Sequence, residues 1–124
     1  MVRNWDAIRS ILLRLEQAES ANAFLNATQF PELPEQEAAY HLWLLNDGGF
    51  IEAQTKESGT GDGKIAFALA KRLTWKGHEL LDSIRNESVW TKVKEAFRSK
   101  GIGMTFDLVL DLAKKIATGA IGLG

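Results

Sequence analysis

The chain has 124 residues, 45% hydrophobic and 25% charged, which is the size and composition of a single globular domain. It contains no cysteine, which excludes disulfides, thiolate metal sites and cysteine nucleophiles, and two histidines leave little material for a zinc site or a catalytic triad. No signal peptide and no apolar run of about 18 residues is visible, so we expect a cytoplasmic protein.

Acidic and basic residues are unevenly divided along the chain. Residues 1–62 carry four Lys/Arg and ten Asp/Glu, whereas residues 63–124 carry eleven and six. Because nucleic acids are bound through their phosphates, any nucleic-acid surface is expected in the second half. The same uneven distribution of charge is also explained by one acidic and one basic face that are both simply solvated.

A first helix is predicted after Asn4, which is a good N-cap, and it is expected to run to about Glu19. Its apolar residues recur at helical spacing: Trp5, Ile8, Leu12 and Leu15. Residues 20–33 lack this periodicity, and each of the two prolines disfavours helix in the residue before it. An irregular first strand containing Phe24, Leu25 and Thr28 is predicted there, with a short helix as the alternative.

A second helix is predicted over residues 35–47, with Pro34 in its first turn and Gly48-Gly49 ending it. Residues 50–55 and 65–73 are rich in residues suited to strands, and the nine residues between them are nearly all turn formers. This pattern predicts a β-hairpin with a mobile tip. In its second strand larger and small apolar residues alternate: Ile65, Phe67 and Leu69 with Ala66, Ala68 and Ala70.

Three further helices are predicted in the remainder of the chain. Thr74 is the expected cap of the third, which runs to Arg85 with one inward stripe of Gly77, Leu80, Leu81 and Ile84. Asn86 or Ser88 caps the fourth, in which Trp90, Val93 and Phe97 point inward and which Gly101 ends. Thr105 caps the fifth, from residue 106 to about residue 118.

The order helix, strand, helix, two-glycine turn, hairpin, helix is that of a winged helix in which extended chain replaces the second helix of the helix-turn-helix. Several stretches carry a family resemblance: residues 40–45, 49–52 and 72–85, then Trp90, with Leu-Thr-Trp-Lys-Gly-His at 73–78 the most specific. In these the chain resembles the bacterial and phage-borne family called domain of unknown function 2513. The resemblance runs from Trp5 to the helix that begins at Phe106. It implies a phage or prophage setting and supplies no catalytic residues.

The fold class that we predict is therefore α+β, a winged-helix-like domain with a C-terminal two-helix extension. Residues 1–85 are expected to form the winged-helix-like core. Residues 86–124 are expected to form the extension, packed on the core or on a second subunit.

The second helix is a poor candidate for reading DNA. A recognition helix offers cationic and amide side chains to the duplex, whereas residues 35–47 contain no Lys or Arg and carry Glu35, Glu37 and Asp47. One side of this helix is an apolar stripe of Ala38, Ala39, Leu42 and Leu45. Tyr40, Trp43 and Leu44 lie on the other side, where they either pack under neighbouring elements or form a protein-contact patch.

The hairpin offers four cations that could contact phosphates, Lys56, Lys64, Lys71 and Arg72. Glu57 and Asp62 lie in the same segment, so an ordinary solvated hairpin is favoured. His41 follows Glu37 by four residues and His78 precedes Asp82 by four, and such pairs usually orient a structural imidazole. We therefore predict no catalytic site, no metal site, no cofactor and no enzymatic activity.

The fifth helix is apolar over about 200° of its circumference, about twice the width that a surface helix needs. Something must cover both flanks: one flank can pack on the domain, and the other requires the fourth helix or a second subunit. Leu108, Leu112 and Ile116 are the residues expected to contact a partner. Its narrow polar strip carries two acids and two lysines, so a membrane surface is disfavoured.

Two functional hypotheses follow. The first is a non-enzymatic interaction or regulatory module of phage or prophage type, which binds a protein partner or itself, as a homodimer through this helix. The second is a DNA-binding regulator that uses the wing and the basic second half. Nucleic-acid binding is the less favoured of the two.

Overall fold

Five helices and a three-stranded antiparallel sheet make up the part of the chain that the structure, a computed structural model, describes: residues 1–18 and 24–120. The elements in chain order are α1 (Trp5–Gln17), β1 (Leu25–Asn26), a 3-10 turn (Ala27–Gln29), α2 (Glu35–Asp47), β2 (Ile51–Glu57), β3 (Ile65–Leu73), α3 (Trp75–Ile84), α4 (Glu87–Lys100) and α5 (Phe106–Ala120). The strand order is β1-β3-β2. This is the α+β, winged-helix-like order that the sequence predicts.

The chain divides into two compact units, Met1–His78 and Glu79–Gly124. The boundary lies inside α3. The predicted division after residue 85 stays a prediction. In the first unit α1 and α2 pack against each other and against the sheet, and in the second unit α4 packs against α5.

Helix α1 begins at the predicted cap. The Asn4 side chain accepts hydrogen bonds from the backbone N–H groups of Asp6 and Ala7, at 2.9 and 3.2 Å. The backbone N–H of Asn4 in turn donates to Nε2 of buried His41, at 2.9 Å, and Nδ1 of His41 donates to the Glu37 carbonyl, at 2.8 Å. One imidazole therefore connects the start of α1 to α2, which is the structural role predicted for it.

The segment between α1 and α2 contains both of the structures that the sequence left open. Leu25 pairs with Ala70 and Asn26 with Leu69, and then the Asn26 side chain accepts from the backbone N–H of Thr28 and turns the chain into a 3-10 turn. The prediction of Thr28 in a strand was therefore wrong. Helix α1 ends at Gln17. The predicted helix end at Glu19 and the start of the predicted strand, residues 20–23, lie outside the described residues.

Helix α2 has the predicted bounds, although Pro34 occupies the cap position and not the first turn. Gly48 ends the helix, and Gly49 follows with a φ of 80°, which favours glycine. The four apolar residues predicted to face inward, Ala38, Ala39, Leu42 and Leu45, are all buried.

Two irregularities in register decide which side of β3 is buried. The pairing of β2 with β3 shifts between Glu52 and Ala53 and again between Lys56 and Glu57. Ile65 and Ala68 are consequently both buried, although they are three residues apart and strict alternation would place them on opposite faces. Phe67, on the other face, is 45% exposed. The helices α1 and α2 thus lie against the face of β3 that carries Ala68 and Ala70.

Hydrogen bonds connect the start of α3 to the turn that follows α2. The backbone N–H and the hydroxyl of Thr74 donate to the carbonyls of Phe50 and Gly49, at 3.0 and 2.5 Å. Nζ of Lys76 donates to the Gly48 carbonyl, at 3.0 Å. A Cβ on Gly77 would overlap the carbonyl oxygen of Phe50, so only glycine permits this approach of two backbones. Thr74 also caps α3 as predicted, since its hydroxyl accepts from the Gly77 N–H.

The remaining caps also follow the sequence. Asn86, one of the two predicted candidates, caps α4 by accepting from the Val89 N–H, and Gly101 ends that helix in the left-handed region with a φ of 65°. Thr105 accepts from the Leu108 N–H at the start of α5. The predicted inward residues of α3 and α4 are all buried: Gly77, Leu80, Leu81, Ile84, Trp90, Val93 and Phe97. In the described ranges no helix has both the length and the apolar character needed to cross a bilayer.

Replacing Gly77 with alanine should strongly destabilise the protein. Alanine is the better helix former, but here its methyl group meets a backbone carbonyl that cannot rotate away, and overpacking of this kind costs about 3 kcal/mol. Chemical denaturation measures the loss. The matched control is Trp75→Ala two residues earlier, at a side chain that is 81% exposed, where we expect a change within about 0.5 kcal/mol. An unchanged midpoint for Gly77→Ala would show that the approach of the two backbones is not required.

Candidate interaction surfaces

Helix α5 carries a partly uncovered apolar stripe. Val109 and Ala113 are fully buried, whereas Leu108 is 45% exposed and Leu112 and Ile116 are half-buried. At about 100° per residue, these last three residues occupy one flank of the helix, over about 80° of arc. We call Leu108, Leu112 and Ile116 the α5 stripe. The structure thus brings together the three residues of α5 that the sequence predicts to contact a partner.

The opposite flank of α5 faces another element of the same unit. Ala113, Lys114, Ala117 and Thr118 line an open groove of 480 Å³ together with Glu79, Asp82 and Ser83 of α3. The α5 stripe is not part of this groove. The apolar arc of α5 is therefore divided between an inner side, on which Val109 and Ala113 are buried, and the half-open stripe.

One edge of the α5 stripe is charged. Asp111 and Lys115 form an ion pair of 3.1 Å one helical turn apart, and both side chains are exposed. On a helical projection Lys115 lies about 60° and Asp111 about 100° from Leu112, on the same side. The stripe therefore has an acidic residue towards the start of the helix and a basic one towards its end.

The outer side of α2 carries an aromatic pair. Tyr40 and Trp43 stack with their ring centroids 6.0 Å apart and their planes inclined by 29°, and Tyr40 meets the edge of His41 at 5.3 Å. Tyr40, Trp43 and Leu44 are each half-buried. These three predicted side chains therefore lie between the two alternatives that the sequence left open, since they are neither fully buried under neighbouring elements nor fully exposed to solvent.

The same helix presents its acids to solvent. Glu35, Glu37 and Asp47 are exposed, and α2 contains no Lys or Arg to offset them. Any polyanion approaching this surface would meet carboxylates first.

The four predicted cations of the hairpin are spread along it. Lys56, Lys64 and Lys71 are exposed, but Lys64 immediately precedes β3 and Lys71 lies near the end of that strand, seven residues later and roughly 23 Å away. Arg72 is paired across the strands with Glu52 through two hydrogen bonds, at 2.9 and 2.6 Å. That pairing lowers the pKa of Glu52, chiefly through the hydrogen bond from Arg72. The hairpin does not concentrate its positive charge at one point.

The tip of the hairpin has its own local bonds. Asp62 accepts from the backbone N–H of Lys64, at 3.0 Å, and this bond lowers the pKa of the Asp62 carboxyl. The Ser58 N–H donates to the Lys64 carbonyl, at 2.8 Å. A carboxylate held next to Lys64 further reduces the attraction of this tip for phosphate.

Sequence reasoning did not single out two exposed aromatic side chains. Trp75 is the more exposed, at 81%, and a signal for it was present, because a helical projection puts it about 160° from the inward-facing Gly77. The exposure of Phe67 had no such signal, since it depends on the irregular register of β2 with β3.

The two histidines have different surroundings. Both ring nitrogens of His41 are engaged by backbone groups, Nδ1 by the Glu37 carbonyl and not by the Glu37 carboxylate as the spacing suggested. His78 is half-buried. No group of three His, Asp or Glu side chains within residues 1–18 and 24–120 could hold a metal ion.

The pairing of Glu52 with Arg72 across the strands should be detectable in the titration of the Glu52 carboxyl. In an NMR pH titration the Glu52 carboxyl should have a midpoint below the usual value of about 4.3. Because the folded-state pKa is the lowered one, the stabilisation from this pair is present above that usual value and is lost as the pH falls through the folded pKa. Arg72→Ala should raise the midpoint. Arg98→Ala, which removes the exposed pair with Glu95, should leave it unchanged, and insensitivity to Arg72→Ala would refute the pairing.

Comparison with known proteins identifies relatives of this chain. A family model described as "Hypothetical protein (DUF2513)" matches residues 2–103, which include α1 to α4. A protein of Haemophilus influenzae named "Uncharacterized protein" is 40% identical over 116 residues, covering 94% of this chain and 95% of that relative. No solved structure matches the chain. The chain therefore belongs to the DUF2513 family, as its resemblance in sequence indicates.

Proposed function

We propose that this protein is a non-enzymatic interaction module that works by binding other polypeptides, and that its first partner is a second copy of itself, bound through the α5 stripe. The observation that carries the proposal is the exposure of this stripe. Leu108 is 45% exposed, and Leu112 and Ile116 are half-buried beside it. Burying such side chains is the main driving force of protein association.

Self-association suits this surface better than the alternatives. A two-fold contact between identical patches is the commonest closed arrangement of identical chains. The charged edge of the stripe is an Asp–Lys pair and not a run of cations, which disfavours a membrane surface. The Tyr40–Trp43 pair on α2 is a second contact surface within this proposal, since stacked Tyr and Trp side chains are frequent anchors for foreign protein partners.

The proposal includes three further expectations. We expect no cofactor and no catalytic residues. We expect a cytoplasmic location, because a chain without cysteine does not depend on an oxidising compartment for its fold. The phage or prophage setting implied by the resemblance in sequence stays a prediction.

A duplex-DNA regulator is the second candidate. The exposure of Lys56, Lys64 and Lys71 favours it, whereas the acidic α2 and the neutralised Arg72 oppose it. We expect no saturable binding of labelled duplex DNA at low salt. Binding that weakens linearly on a log-log plot against salt, and that strengthens when Glu52→Gln releases Arg72, would establish this second function in place of the first.

The variant Leu108→Asp/Leu112→Asp should dissociate the dimer without unfolding the chain. Two carboxylates cannot be buried at an apolar contact, but both positions retain solvent access in the single chain. Light scattering over about 1–100 µM, which corresponds to free energies of binding from about −8 to about −5.5 kcal/mol, measures the change in mass.

The matched control is Lys114→Asp, on the same helix but about 160° from Leu112, which should remain dimeric. A wild-type chain that is monomeric throughout this range would contradict the proposal. Loss of helical circular dichroism in the double variant would assign Leu108 and Leu112 to the core of the single chain.

A further inference from the structure

We infer that two copies of this chain pair through α5 in antiparallel orientation, so that Asp111 of each copy lies opposite Lys115 of the other. The inference rests on the proposed self-association and adds the orientation of the partner and the residues that set it.

The spacing of the α5 stripe is compatible with a two-fold axis at its centre. Leu112 lies midway between Leu108 and Ile116, four residues from each. In an antiparallel pair centred on Leu112, Leu108 of one copy packs against Ile116 of the other, and the two Leu112 side chains meet. All three side chains of the α5 stripe would then be covered at once.

The charged edge of the stripe distinguishes the two possible orientations. Asp111 and Lys115 lie on the same side of the stripe, and the other side leads to buried Val109 and Ala113. When two identical helices pack antiparallel, an edge of one faces the same edge of the other in reversed order. Each Asp111 then lies two residues along the helix from the Lys115 of the other copy, and because Lys115 is nearer to the contact than Asp111 on the projection, this Lys115 is closer to it than the other Asp111 is. Two Asp111–Lys115 cross pairs result. A parallel pair would set the charged edge against the apolar one, which desolvates the Asp111–Lys115 pair without adding an opposite charge from the other copy.

These cross pairs determine orientation more than affinity. An exposed ion pair contributes about 0–1 kcal/mol, so the apolar stripe supplies the attraction and the charges select among its arrangements. In the single chain Asp111 and Lys115 already pair with each other at 3.1 Å, so neither charge is left uncompensated when the copies separate. The antiparallel arrangement also places the oppositely charged ends of the two helix dipoles side by side.

Charge exchange tests the reciprocal pairs. Asp111→Lys gives an edge with two cations and Lys115→Asp gives an edge with two anions, so each variant should self-associate roughly tenfold more weakly than wild type, equal to about 1.4 kcal/mol. An equimolar mixture of the two should recover the wild-type affinity as a heterodimer. The control Asp111→Lys/Lys115→Asp keeps opposite charges both within and between copies and should dimerise like wild type. Equal affinities for all four samples would overturn the role of these charges.

Cross-linking tests the orientation. The chain has no cysteine, so introduced thiols are its only ones. Oxidation should link a Leu108→Cys copy to an Ile116→Cys copy, and Leu112→Cys to itself, whereas Leu108→Cys alone should stay unlinked, because a disulfide requires Cα atoms within about 7 Å. Self-linking of Leu108→Cys in a dimeric sample would overturn the antiparallel arrangement and leave the proposed function standing. A wild-type chain that never dimerises would refute both.

Discussion

The close approach of Gly77 to the Phe50 carbonyl is the constraint on which the geometry of the first unit depends. It brings the end of β3 and the start of α3 against the turn that leaves α2, and the bonds of Thr74 and Lys76 to that same turn hold the contact in place. Since both partners are backbone, no side-chain rearrangement can relieve the contact. Trp75 lies between Thr74 and Lys76, the two residues that make these bonds. Its side chain is nevertheless exposed to solvent, although its backbone is held by these neighbours.

Features set by neighbouring residues could be read from the sequence. The caps at Asn4, Thr74 and Thr105 and the stop at Gly101 depend on side chains or φ values within a single turn, and each is found where it was predicted. Features set by distant residues could not. The register shifts of β2 against β3 bury Ala68 and expose Phe67, and the Arg72–Glu52 pair joins residues 20 apart that meet only through this register. The 3-10 turn that includes Thr28 was missed because the Asn26 cap competes locally with strand pairing.

The candidate surfaces were predictable to different degrees. Helical periodicity gave the width of the apolar arc of α5, but only the packing of its inner side on the rest of its unit separates Val109 and Ala113, which are buried, from the α5 stripe. Composition alone made α2 a poor partner for nucleic acid. The sequence shows that the hairpin contains four cations. It does not show that they are spread along the hairpin, or that one of them, Arg72, pairs with Glu52. Charge position therefore weakens the case for DNA and strengthens the case for a second copy, because the edge of the α5 stripe is complementary to itself.

The most direct test of the central claim is the solvent accessibility of the stripe's methyl groups as the protein is diluted. In NMR with a soluble paramagnetic agent, the methyl groups of Leu108, Leu112 and Ile116 should be protected at high concentration and become accessible on dilution. Those of Val109, which is buried in the single chain, should stay protected throughout. Stripe methyl groups that are equally accessible at every concentration would contradict the claim that a second copy covers them.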